Sequence, residues 1–198
     1  MKAFNKNNFS IAPLAIGGDY EVLHVTDDYT EATNGHLLIR VSSVETEKES
    51  LPVPPSGNSP NETPIDAVIP CSSAKKIHDT IPKLRHNERL EIVWQGENSS
   101  KEHIEFLATD FEDWMPIISR KIDRQYPPTD KVFPEEKPQI ETRFNVNYMK
   151  KICEQLGKMG IKEVDLNFYG NSKVLEMEAS TIQEQKVIIL LMPMGKDK

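Results

Sequence analysis

The stretch Phe144-Asn145-Val146-Asn147-Tyr148-Met149-Lys150-Lys151-Ile152-Cys153-Glu154-Gln155-Leu156, read with the closing run Leu190-Leu191-Met192-Pro193-Met194, decides the fold. Asn145 is of the residue type that caps helix starts, and Val146, Met149, Ile152, Cys153 and Leu156 then recur on one helical face. The spacing predicts a helix over 147–159, preceded by a strand over 139–144 and followed by strands near 163–169, 174–179 and 186–192. The same order is found upstream: a strand over 67–70, a helix from 73 to about 84, then strands near 90–95, 103–109 and 114–121. In that helix Ala74, Ile77, Ile81 and Leu84 share a face, and Pro82 kinks it or ends it at Ile81. Two βαβββ units in succession predict an α+β domain with helices packed on curved antiparallel sheets. Ile77, Ile81, Met149, Ile152 and Leu156 are its expected core.

Working outward, residues 1–43 read as an N-terminal β-hairpin region appended to that domain. The first nine are polar and expected to be loose. Strand-like runs follow at 11–16 and 20–25. Asn34-Gly35 marks a turn because both residue types tolerate positive φ, and Leu37-Leu38-Ile39-Arg40-Val41 continues as a strand. Residues 44–66 hold Pro52, Pro54, Pro55, Pro60 and Pro64 among polar residues and read as a long mobile loop. The expected organisation is therefore 1–43, 44–66 and 67–195, the last made of units 67–134 and 135–195.

A net charge of -7 excludes a surface uniformly attractive to nucleic acid, but not a local basic face. The first helix sets Lys75, Lys76, Lys83 and Arg85 against Asp79, and the second sets Lys150, Lys151 and Lys158 against Glu154. Such segregation fits either a phosphate-contacting face or two plainly solvated ones. No apolar run reaches the ~18 residues of a membrane span, and the polar start lacks the apolar segment of a secretory signal, so a cytoplasmic protein without membrane contact is expected. Cys71 and Cys153, each beside apolar residues, read as buried free thiols. His24, His78, His86 and His103 show no metal spacing, and Asp110, Glu112 and Asp113 read as a solvated loop in preference to a cation site. Phosphate loops, nucleophile elbows and dinucleotide fingerprints are absent from the sequence, so no catalytic residue, metal or cofactor is expected and the protein reads as non-enzymatic.

Three segments resemble the bacterial DNA polymerase III beta sliding-clamp family. Ala32-Thr33-Asn34-Gly35-His36-Leu37-Leu38 is similar to its ATDGHRL hairpin. Ile118-Ser119-Arg120-Lys121-Ile122-Asp123-Arg124-Gln125-Tyr126-Pro127, ending at Val132-Phe133-Pro134, looks like its strand, aromatic-Pro turn and return to a Pro. The helix start at Phe144 and Asn145, with Tyr148, Met149 and Met192-Pro193-Met194, resembles its FNxxYL segment and MPM terminus.

The resemblance implies a DNA-clamp-like fold whose helices meet phosphates without reading bases, here through Lys75, Lys76, Lys83, Arg85, Lys150, Lys151 and Lys158. It also implies an apolar groove for short linear peptides of polymerase-type clients. That groove would be formed by Thr33, Gly35, His36, Leu37, Leu38, Pro134, Asn145, Tyr148, Met149, Met192, Pro193 and Met194. Residue types alone leave Met192 and Met194 open between core filler and ligand surface, and His36 between hairpin bonding and pocket wall. Asn34, Leu37 and Gly195 depart from the family's Asp, Arg and Arg, which implies a groove ruled by apolar anchors. The family's chain has three domains and closes a ring as a dimer, so a ring of this chain would be a homo-oligomer of about six copies. The expected function is a DNA-associated sliding-clamp-like protein; the alternative is a peptide-binding adaptor that keeps the fold without encircling DNA.

Overall fold

The computed structural model describes residues 2–17, 21–45, 64–80, 92–96, 99–109, 114–181 and 184–195. Contacts divide the chain into two compact units, Met1–Pro128 and Thr129–Lys198.

The first unit opens with strand β1 (Lys2–Ala3), helix α1 (Lys6–Ser10) and a 3-10 turn (Ala12–Ala15). The polar N-terminal run is thus built, not loose, and residues 11–16 are helical, not strand-like. Asn5 and Asn8 explain the first result. They close a capping box, with the Asn7 N–H donating to Asn5 Oδ1 at 2.9 Å and the Asn5 N–H to Asn8 Oδ1 at 2.9 Å. The buried Asn8 amide also donates to Thr30 Oγ1 and to the carbonyls of Val41 and Ser42. Phe9, 1% exposed, meets Phe4 and Phe106 edge to face at 6.0 and 5.7 Å.

Strands β2 (Val22–Thr26), β3 (Tyr29–Thr33) and β4 (Leu38–Ser42) follow, then β5 (Val44–Glu45), which pairs with β1. The next strand, β6 (Asp66–Pro70), lies beside β2 and runs directly into α2 (Cys71–Thr80). The sheet order β4-β3-β2-β6 therefore joins the N-terminal hairpin region to the strand that precedes α2. Strands β7 (Ile92–Gln95), β8 (His103–Thr109) and β9 (Trp114–Arg120) make a second antiparallel sheet. Paired backbone bonds of 2.8 Å between Phe4 and Val93 fasten the N-terminus to β7. Between the elements lies one continuous core that includes Phe9, Leu23, Val25, Ile69, Ala74, Ile77, Ile104 and Phe106.

The second unit holds a 3-10 turn (Thr129–Val132), helix α3 (Val146–Lys158) and an antiparallel sheet of β10 (Asp165–Phe168), β11 (Leu175–Ser180) and β12 (Lys186–Leu191). Residues 139–144, expected as a strand, pair with no strand among the described residues; Arg143 accepts a backbone bond from the Met194 N–H at 2.8 Å. Buried Leu175, Met177 and Leu191 carry Phe144, Met149, Ile152 and Ile189 against them. Of the expected core, Ile77 and Leu156 are buried, Met149 and Ile152 are half-buried, and Ile81 lies outside the described residues with Pro82 and Leu84. Val146 and Cys153, placed on the same apolar face by the sequence, are exposed because they stand at its margins. Among the described residues, helix followed by three antiparallel strands thus occurs three times: after α1, after α2 and after α3.

Candidate functional site

The basic residues sit where helix geometry puts them. In α2 the inward positions Cys71, Ala74 and Ile77 are buried, which leaves Lys75 and Lys76 exposed on the opposite face. Beside them the His78 ring is 3.0 Å from Asp79, whose carboxyl is held below its ordinary range chiefly by that bond. In α3 Lys150, Lys151 and Lys158 are exposed. Lys150 lies 3.9 Å from Glu154 one turn on, and the Lys151 ammonium stands 5.8 Å from the Tyr148 ring centroid. Lys158 occupies the last turn, where a cation complements the helix dipole. Lys83, Arg85 and His86 lie outside the described residues, as do Asp110, Glu112 and Asp113.

The groove candidates fall in both units. In the first unit, Thr33 to Leu38 form a turn held by side chains. Thr33 Oγ1 donates to the Leu37 carbonyl at 2.7 Å, and Asn34 Oδ1 accepts from the N–H groups of His36 and Leu37 at 3.0 Å. Gly35 alone takes positive φ, at 89°; Asn34 serves the turn through its amide oxygen. The His36 ring and Leu37 are exposed, Leu38 is half-buried and Thr33 is buried.

In the second unit, the Met194–Arg143 bond holds the closing segment beside the start of α3. Asn145 caps that helix by accepting from the Asn147 N–H at 2.9 Å. Tyr148 is exposed and Met149 packs inward. Met192 and Met194, 71% and 52% exposed, are surface and not core filler. Pro193 is half-buried, and Pro134 is exposed beyond the 3-10 turn.

A second constellation was missed by sequence reasoning. His24, Glu31 and Arg40 come side by side across β2, β3 and β4, because His24 pairs with Glu31 and Glu31 with Arg40 in the strand register. The His24 Nδ1 is 2.9 Å from Glu31 Oε1, and its Nε2 is 2.8 Å from Asp66 Oδ1. Arg40 holds the other Glu31 oxygen through Nε at 2.9 Å and stacks 3.7 Å from the Tyr29 ring centroid. Tyr126 stacks on the His24 ring at 4.6 Å and donates its hydroxyl to the Glu31 carbonyl at 3.4 Å. Burial pulls the imidazole pKa down, but the bonds to Glu31 and Asp66 outweigh it and raise it above 6.5. Burial also pushes the Tyr126 phenol up, and the Cys71 thiol to about 11. The signal that could have found this cluster is the register itself, since the residues are separated in sequence and each looks like ordinary strand polarity. Among the described residues no group of three or more His, Cys, Asp or Glu could hold a metal ion, and no helix is long and apolar enough to cross a membrane.

The chain matches no protein-family model and no curated protein. Solved structures do match. A DNA polymerase sliding clamp from Pseudomonas aeruginosa aligns with 96% of this chain and 50% of its own, at 13% identity and a TM-score of 0.61. The fold is sliding-clamp-like. A sliding clamp from Bacillus subtilis covers 97% of this chain and 48% of its own, at 14% identity and a TM-score of 0.57. The beta subunit from DNA polymerase of Streptococcus pyogenes covers 98% and 50%, at 13% identity and 0.58. This chain spans about half the length of the clamps it matches.

Proposed function

We propose that this clamp-like chain is a non-enzymatic, cytoplasmic protein that associates with duplex DNA irrespective of sequence. The reading rests on the α+β fold shared with DNA polymerase sliding clamps, to which α2 and α3 add exposed Lys75, Lys76, Lys150, Lys151 and Lys158. Lys83 and Arg85 belong to the same proposed set. Phosphate contacts release counterions, so affinity for a labelled duplex falls by about 0.9 log units per log unit of salt for each phosphate neutralised. Lys150→Glu with Lys151→Glu weakens binding to unrelated duplexes alike and flattens that slope. No association with linear or circular duplex at low salt would sink the reading.

A second reading is favoured by the solvent-facing Met192, Met194 and Tyr148 around a capped helix start: a peptide-binding adaptor that does not encircle DNA. Its ligand would be a short apolar peptide of a polymerase-type client, received within the second unit by Pro134, Asn145, Tyr148, Met149, Pro193 and the two methionines. Light scattering with and without duplex DNA separates the two. A discrete large homo-oligomer favours the first reading, and a monomer or dimer indifferent to DNA favours the second.

A further inference from the structure

We propose that His24 is a pH-operated latch whose imidazolium ties Asp66 of β6 to Glu31 of β3 across β2, so that its deprotonation loosens β6 and the helix that β6 feeds.

The geometry carries this. Both ring nitrogens lie within 2.9 Å of a carboxylate oxygen. A neutral imidazole has one N–H, which would leave the other nitrogen's lone pair facing an anionic oxygen; only the imidazolium donates to both. The charge count agrees. Glu31, its side chain 1% exposed, gives Oε1 to His24 and Oε2 to Arg40. With Asp66, whose side chain is 85% exposed, as second anion, two cations face two anions among the described residues, and loss of the ring proton leaves that set one negative charge in excess. Among the described residues, the groups facing the ring are Glu31 and Tyr29 from β3, Asp66 from β6, and the stacked Tyr126 from residues 121–128, with Arg40 of β4 behind Glu31. Tyr126 gives the cation a π face.

Asp66 is the first residue of β6, opposite Thr26, and β6 passes into α2 without a linker at Cys71. A change at Asp66 therefore reaches the helix that bears Lys75 and Lys76. The imidazole pKa is raised on folding, so the latch contributes fully below 6.5 and is lost as pH climbs through the higher folded value. The proposal stands whether or not DNA or peptide is bound.

Nuclear magnetic resonance of the full chain tests it. The His24 ring signal is the one missing in His24→Gln; should that variant not fold, nuclear Overhauser contacts with Tyr126 assign it. His24 should titrate above 6.5. Asp66→Asn, at a side chain 85% exposed and so compatible with folding, should lower that value. Across the His24 titration, exchange protection of the β6 amides, corrected for intrinsic pH dependence, should fall several-fold while β8 and β9 stay unchanged. Titration at or below 6.5, indifference to Asp66→Asn, or β6 protection that ignores His24 would each overturn the latch.

Discussion

Helices α2 and α3 each precede three antiparallel strands, yet they leave very different amounts of apolar surface bare. Cys71, Ala74 and Ile77 of α2 enter a core shared with α1, the 3-10 turn and strands of the two larger sheets in its unit. In α3 only Leu156 is fully buried, and Val146, Tyr148, Leu166, Phe168, Ile188 and Leu190 of the same unit remain exposed. The difference follows from repetition. Two repeats in one unit close a core from both sides, whereas a single helix on three strands covers one stripe and cannot enclose it. Tyr148 among these, like the exposed Met192 and Met194, is one of the groove candidates.

The comparison breaks most visibly at Phe9. Its ring joins Phe4 and Phe106 at the centre of the first unit, so Phe9→Ala should destabilise that unit by about 3–5 kcal/mol in urea unfolding. A loss under about 1 kcal/mol would mean that α1 is not part of the core.

Much of this was legible in the sequence and some was not. Helix α3, its Asn145 cap and the turn from Thr33 to Leu38 follow from local rules, and local rules act between residues close in sequence. Helix α1 escaped because Asn5 and Asn8, which cap it, give the same polar composition as a loose terminus. Its one apolar anchor, Phe9, finds partners as distant as Phe106. Cys153 and Val146 were misread because a helical face has edges, and a sheet of three strands is too narrow to cover them. The cluster of His24, Glu31, Arg40 and Asp66 exists only through strand register, which no single segment displays.

Ile152 sharpens the comparison from the other side. It packs against Leu175, Met177 and Leu191 but is only half-buried. Ile152→Ala should therefore cost about 1–2 kcal/mol, less than the same truncation in an enclosed core. A cost above about 3 kcal/mol would show the second unit to be as tightly enclosed as the first.

The smallest effect separates structure from recognition at a single residue. Asn145 caps α3 through its bond from the Asn147 N–H and also stands among the proposed peptide contacts. Asn145→Ala should cost about 1 kcal/mol through the lost cap. Asn145→Ser keeps an oxygen that can accept the same bond, so it should restore most of that stability. If Asn145 acts only as a cap, Asn145→Ser also restores peptide capture, measured by anisotropy with a short apolar peptide. If its amide touches the ligand, capture stays impaired in Asn145→Ser while unfolding returns to the wild-type midpoint. Unchanged stability in Asn145→Ala would remove the cap from the argument, and with it the reason this helix starts beside Met194.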